Sequence, residues 1–387
     1  MRYRIASCFI TIVLTIMSPS VALSKSSAEG LDAHVLNGMK LTQAQGLAVA
    51  VIENGKVVSV KSWGLRNAKG DPLTPDTVMY GASITKMMFG YLVAQLADEG
   101  KIDLDASIAE YLPKPLPEYT EAGDKYAPWH HLAGDERWRK LTPRILLNHG
   151  SGFANFYWLN PDERLKFHFD PGTRYAYSGD GIMLMQFVLE QGRGLDVEVE
   201  MQRRLFQPLA IKNTSLVWQP HFAANLADGW KADGSIESHD ERSKPRAAGS
   251  MDTSIADLAN LTAAYVRGDG LSNKARAAMV APQLAIRTAS QFPSLQPEAG
   301  KPPFPGLAAG LGVIAFSGPQ GRGFYKGGHN DSTGNMLVCV EKRKRCVLIM
   351  SNDVRAEPLF PGIVTELLGK TGMPWAWEYG ALPWARE

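Results

Sequence analysis

Only 3 of the 387 residues are cysteine, so no disulfide framework defines this chain. It also lacks an excess of charge of either sign. The 41 Lys and Arg stand against 39 Asp and Glu, a formal net charge of +2. So even a balance gives no support to nucleic acid or an anionic membrane surface as a partner. The 8 histidines include no His-x-x-x-His pair, and the adjacent His130 and His131 do not present easily to one ion. No metal is therefore expected. Glycine-rich stretches such as GLAAGLG do not follow the strand, turn and helix order of a dinucleotide site, and no cofactor is expected. Internal repeats and low-complexity tracts are absent as well.

What is there is a globular composition, 45% hydrophobic, 21% charged and 9% aromatic. The first 24 residues read as a cleaved export signal: MRYR carries two positive charges, IASCFITIVLTIM is apolar, and Ala22 and Ser24 have the spacing of a cleavage site. The apolar stretch is shorter than the roughly 20 residues that span a bilayer, so no stable membrane insertion is expected once the signal is removed. The expected location is periplasmic or secreted. Loss of Arg2 and Arg4 takes the formal charge from +2 to zero. An oxidising compartment bears on Cys339 and Cys346, which flank the charged tip EKRKR (341–345). A turn centred on Lys342 and Arg343 puts them opposite one another on antiparallel strands. A cross-strand disulfide and two buried free thiols both remain open, because one residue of register slip removes the geometry.

Residues 25–387 exceed one compact core, so two lobes are expected. GLAVAVIENGKVVSVKSWG (46–64) holds two β-rich stretches around Asn54-Gly55, a strong hairpin signal. An apolar helix starts near Ser83 and ends by Gly100. Proline-punctuated loops and amphipathic segments fill about 106–245. After the capping signal SIAD (254–257) comes a helix, then β-rich sequence, then a last helix around PGIVTELLGK. The pattern predicts an α+β fold with an antiparallel sheet built from both chain ends and flanked by helices. The sheet lobe covers about 25–105 plus 246–387, and a mostly helical insertion lobe about 106–245.

Ser83 and Lys86 stand three positions apart in this apolar helix, YGASITKMMFGYLVAQLADEG. Positions i and i+3 share a helix face with Cβ atoms about 5–6 Å apart, so Lys86 reaches the Ser83 hydroxyl. Burial favours the neutral amine over the ammonium. A neutral amine beside a hydroxyl is a general base beside a nucleophile, and the N–H groups at the helix start are suited to an oxyanion. The plainer reading, an N-cap serine and a snorkelling lysine, usually wins for an isolated Ser-x-x-Lys.

The surrounding sequence changes that balance. GLAVAVIENGK through DASIAEYLP (46–113), LTPRILLNHGSGF (141–153), FDPGTRYAYSGDGIMLMQFVLEQ (169–191), AAGSMDTSIADLANL (247–261), GGHNDSTGN (327–335) and IMSN (349–352) follow in order. Together they resemble the serine β-lactamase-related superfamily, which includes class C β-lactamases, family VIII esterases, D-aminopeptidases and DD-carboxypeptidases. The resemblance implies a β-lactamase/transpeptidase-like fold. It implies Ser83 as nucleophile, Lys86 as its base, and Tyr177 as the tyrosine of Tyr-x-Asn, shuttling a proton to the leaving group. Ser151, a rival by inspection, lacks the spacing of a nucleophile elbow.

Three departures stand out. Gly179 replaces the Asn of Tyr-x-Asn. At the Lys-Thr-Gly position the preferred match is His329, Asn330 and Asp331, with His329 as the catalytic side chain, and Lys326 in KGG (326–328) gives the alternative. Asp331 in place of glycine calls into question the open strand edge on which the family lays its substrate. If His329 aligns there, the backbone N–H of Ser332 is the second oxyanion donor. The loop at 113–140 is expected to border the pocket.

The reading implied is a serine hydrolase forming an acyl-enzyme on Ser83. An esterase or small-amide hydrolase leads, ahead of a D-amino-acid peptidase or DD-carboxypeptidase of cell-wall peptides and then a β-lactamase. A catalytically silent, penicillin-binding-like receptor of the same fold is the non-enzymatic alternative. The partner in each case is a small ester, amide or D-peptide.

Overall fold

The structure, a computed structural model, describes residues 25–380; the expected export signal lies outside the described residues. One antiparallel sheet of eight strands runs in the order Lys56–Gly64, Gly46–Glu53, Arg345–Ser351, Gly334–Val340, Gly321–His329, Ile314–Gly318, Ala308–Ala309 and Leu284–Ala285. Strands from the two ends of the chain meet between its second and third positions, with Ala48 to Ile52 paired against Met350 to Cys346.

The hairpin forms at Asn54 and Gly55, whose φ values of 50° and 72° suit the type I′ turn that matches strand twist. At the other tip Cys339 stands opposite Cys346, Cα atoms 4.1 Å apart, and the two form a disulfide. The register decides between the two alternatives that the sequence leaves open.

Both faces of the sheet are covered, which explains why its central strands are apolar throughout rather than alternating. In Arg345–Ser351, Cys346, Leu348 and Met350 point to a core that contains the Ser83 helix. Val347 and Ile349 point to a second core under the helices Lys25–Thr42 and Phe360–Leu368. The period of two assigns each residue to one side.

The helix Ile84–Asp98 is buried on every side from Ile84 to Leu96, as expected of a helix with no polar face. Gly100, at φ 71°, lets the chain turn back so that the Lys101 N–H donates to the Leu96 carbonyl at 2.9 Å. The helix Ile255–Arg267, capped by Ser254, lies across the first two strands. Between residues 106 and 245 the chain forms short helices, Gly179–Phe187 among them, and one small strand pair. Among the described residues no helix is long and apolar enough to cross a membrane.

Two local features prepare the site. The short pairing of Met79–Tyr80 with Asp252–Thr253 delivers the chain to Ser83. The strand Gly321–His329 is paired on both sides only as far as Tyr325; from Lys326 to His329 it keeps one neighbour, Gly334–Val340.

Candidate active site

Ser83 sits at the turn into the central helix, preceded by Ala82 in the left-handed region at φ 46°. The next amides are used locally, Ile84 N–H on the Gly81 carbonyl and Thr85 N–H on that of Ala82, while the Ser83 N–H donates to no acceptor among the described residues. The Ser83 hydroxyl lies between two groups. Lys86 Nζ is 3.0 Å from Ser83 Oγ, and Tyr177 Oη donates to the same oxygen at 2.8 Å. The structure therefore brings Ser83, Lys86 and Tyr177 together.

Lys86 is 2% exposed, and its amine also meets the Ala248 carbonyl. Burial first, and then the positive charge of Lys326, hold its pKa well below that of a free lysine. Burial raises the Tyr177 phenol, although its bond to Ser83 works in the opposite direction. At rest the amine is thus disposed to accept a proton and the phenol to donate one.

Tyr177 is held by a residue to which sequence reasoning assigned no role. His149 stacks on its ring, centroids 4.5 Å apart, and His149 Nδ1 accepts the Ser178 N–H at 3.1 Å. Burial, then Lys86 and Lys326, keep this imidazole uncharged, which leaves Nδ1 free to accept. The signal for it was the histidine of LLNHGSG. Ser151 of the same turn is buried and accepts the Phe153 N–H, apart from any base.

On the strand edge, Lys326 rather than His329 joins the triplet. Lys326 Nζ lies 5.3 Å from the centroid of the Tyr177 ring, with Lys86 Nζ at 4.9 Å from the same ring. Burial lowers Lys326 to about 8, while the Glu378 carboxylate opposes that shift. Glu378, from the short helix Trp375–Tyr379, is buried against Gly327, where an added Cβ would come within 2.3 Å of its Oε1. Nothing in the sequence singled it out.

The His329 side chain turns instead to Glu357, Nδ1 to Oε1 3.2 Å. Burial pulls this imidazole down, but Glu357 and Glu378 outweigh it and its pKa is raised. The expectation that His329 takes the Lys-Thr-Gly position is corrected on that geometry.

The backbone of His329 is better placed than its side chain. The Arg322 carbonyl accepts from Glu341 N–H, and Asn330 N–H donates to Thr333, so even-numbered positions bond toward Gly334–Val340. Alternation then turns the N–H groups of Gly327 and His329 to the open edge. Gly328 lies against the start of the Ser83 helix: a Cβ there would stand 2.9 Å from Ile84 N and 3.0 Å from Ser83 N.

Ser332 does not supply an oxyanion donor. Its N–H is taken by Asn330 Oδ1 at 3.1 Å and its hydroxyl by Glu237 Oε2 at 2.5 Å. Asn330 borders the cavity, but its carbonyl end closes this turn, and Asp331 sits in the turn and leaves the strand edge open.

Gly179 starts the helix Gly179–Phe187, and a Cβ on it would fall 2.4 Å from the Phe156 ring. That ring fills the space a larger side chain would need. The cavity around Ser83 measures about 680 Å³. Its outer wall is the strap 240–246, and no residue of 113–140 lines it. That loop meets the strap through Asp124, whose carboxylate holds Lys244 and whose carbonyl accepts from Arg246.

Comparison with known proteins gives the same frame. The solved structures it is similar to include an octameric penicillin-binding protein homologue from Pyrococcus abyssi, at TM-score 0.70 and 19% identity over 90% of this chain and 79% of that one. A β-lactamase/D-alanine carboxypeptidase from Pseudomonas syringae gives TM-score 0.69 and 16% identity over 89% and 98%. A D-aminopeptidase of Brucella anthropi is 26% identical over 215 residues, 50% of this chain and 37% of that protein. An N-acetylmuramyl-L-alanine amidase of Bacillus subtilis is 24% identical over 227 residues, 50% and 48%. The matched region thus spans between about a third and a half of these curated relatives. The Beta-lactamase family model matches residues 31–363, and the chain belongs to that family.

Proposed function

We propose that the protein is a serine hydrolase that forms an acyl-enzyme on Ser83 and cleaves amide bonds of D-amino-acid peptides of the cell-wall type. The carrying observation is the Ser83 hydroxyl held between the buried Lys86 amine at 3.0 Å and the Tyr177 phenol at 2.8 Å. Lys86 takes the Ser83 proton as Oγ bonds to the substrate carbonyl carbon. The carbonyl oxygen, now negative, lies between the N–H groups of Ser83 and His329. Tyr177 protonates the leaving nitrogen as the C–N bond breaks, and recovers a proton from Lys86. Water then cleaves the acyl-enzyme by the same relay.

Lys326 supports Lys86 by charge: its ammonium disfavours a second ammonium nearby. That buried cation moves the reading from the esterase to the peptidase side, because with its pKa at about 8 it carries a positive charge at neutral pH beside Tyr177, where the His329 side chain is turned away to Glu357. The relatives named above include an aminopeptidase, a carboxypeptidase and an amidase, in keeping with amide substrates. Two buried lysines beside Ser83 suit a substrate with an anionic end better than one with a free ammonium next to the scissile carbonyl.

An esterase is the second reading, favoured by the apolar side chains of Phe156, Met183 and Phe292 in the cavity. An export signal would place the activity in the periplasm or outside the cell.

The test is the intact mass after exposure to an aryl phosphonate, for the protein and its Ser83→Ala variant, followed by D-alanyl peptides, aryl esters and a chromogenic β-lactam. One adduct on the parent alone and at least about a 10³-fold loss of turnover in Ser83→Ala are expected. Equal turnover by both proteins would refute the mechanism, and absence of any adduct would favour the silent receptor.

A further inference from the structure

The cavity carries donors that acyl transfer on Ser83 does not use. Each cation of the strap but one has a carboxylate partner. Arg242 meets the buried Asp252 at 3.2 Å, and Lys244 pairs with Asp124. Arg246 lines the same cavity, yet its one side-chain bond is from Nη2 to the Asp124 carbonyl at 3.1 Å, and among the described residues no carboxylate stands within ion-pair distance of it. Five N–H donors in a planar fork are thus largely unspent.

Two carboxylic acids feel the charge of Arg246, Asp124 on the outer loop and, in the wall of the site, Asp180. Asp180 is buried, and its Oδ2 is taken by the Tyr157 N–H at 2.6 Å. Its own N–H donates to the Asn155 carbonyl at 3.0 Å, which ties Asn155 to the same turn.

Asn155 also lines the cavity. Its Oδ1 accepts the Gly179 N–H at 3.0 Å. A backbone N–H only donates, so the orientation of the amide is settled and Nδ2 is left without a partner among the described residues. Beside it the Phe156 ring, stacked on Trp158 at 4.4 Å, forms an apolar wall.

We infer that Arg246, together with Asn155 of the same cavity lining, is a receptor for a carboxylate carried by the substrate away from the scissile bond. The inference rests on Ser83 chemistry and adds that the substrates are anionic. A guanidinium and an amide offer several N–H groups to two carboxylate oxygens, a geometry that a point charge such as Lys326 does not reproduce.

The experiment compares matched aryl esters. 4-Nitrophenyl hydrogen succinate is set against 4-nitrophenyl butyrate, and a carboxylated nitrophenyl leaving group against the plain one. In the parent protein kcat/KM favours the anionic member of at least one pair by about ten- to hundredfold. In Arg246→Gln that ratio falls close to one, and in Arg246→Lys it is kept only in part. Asn155→Asp retains the oxygen that holds Gly179 N–H, exchanges the donor for a charge, and lowers the same ratio.

Thermal shift reads the receptor without turnover: glutarate raises the melting temperature of the parent more than glutaramide does, and the difference is lost in Arg246→Gln. A preference that survives Arg246→Gln, or no preference in either pair together with no glutarate shift, overturns the receptor. Failure of the Ser83 reading shows separately, as ester turnover that Ser83→Ala leaves intact.

Discussion

The strand Gly321–His329 has two halves that differ in one respect. From Gly321 to Tyr325 it is hydrogen-bonded on both sides; from Lys326 to His329 one side is open. In the first half the side chains serve packing, as Phe324 and Tyr325 do in opposite cores. In the second, a buried cation, a glycine pressed on the nucleophile's helix and an outward N–H stand within four residues. Ending the neighbouring strand four residues early is thus what turns sheet into site: unpaired backbone is available to a substrate, whereas paired backbone is available only to the fold.

The largest effect should come from closing the gap between the open half and Ser83. Gly328→Ala puts a Cβ about 3 Å from the Gly81 carbonyl and the Ser83 and Ile84 nitrogens, so strand and helix must separate. A shift on the order of 1 Å costs about 10²-fold in rate. Measured acylation by an activated ester should fall by that much per folded molecule, beyond whatever the melting temperature loses.

The matching change in the paired half is Gly323→Ala, whose Cβ meets the Phe316 ring at 2.4 Å and the Cys339 carbonyl at 2.6 Å. Overpacking of this kind costs about 1–3 kcal/mol. Here the denaturation midpoint should drop and the rate per folded molecule should persist. If the two substitutions give the same pattern, the contrast between the halves is wrong.

A smaller effect sharpens the contrast. Lys326 is held near 8, so its charge is present below that pH and lost above it. The rate on an anionic substrate should therefore fall as pH rises through about 8, since an uncharged Lys326 no longer attracts the negative end of the substrate. In Lys326→Met that alkaline limb should vanish. The acid limb should move to higher pH, because Lys86 without a positive neighbour holds its proton longer. A rate loss of about tenfold at neutral pH, read from the pH profile of kcat/KM, is expected. An unchanged profile would mean that Lys326 does not govern Lys86.

Much of the site was legible because it depends on short-range periodicity. Ser83 and Lys86 meet through helix spacing alone, and Cys339 and Cys346 meet because both flank a turn of fixed centre. The turn at Asn54-Gly55, the buried helix and the sheet assembled from both ends follow from the same local rules. Tyr177 was legible only through the motif around it, since a tyrosine among 12 carries no mark of its own.

What was not legible depends on distances between segments remote in the chain. In KGGHNDS the motif favoured His329, with Ser332 following from it and Lys326 as the alternative; the choice falls to Lys326 and the His329 backbone because a partner strand ends at Tyr325 and because Glu357 and Glu237 draw the other side chains away. Gly179 reads as a loss until Phe156 is seen over it, and Glu378 and Arg246 have no motif at all. By itself the sequence determined the turn at Asn54-Gly55, the buried helix and the Ser83–Lys86 pair, all set within a few residues by backbone geometry. Only the tertiary structure decided which groups of the distant strand, strap and C-terminal helix face Ser83, because that choice is made by packing across the sheet and by where hydrogen-bond pairing stops.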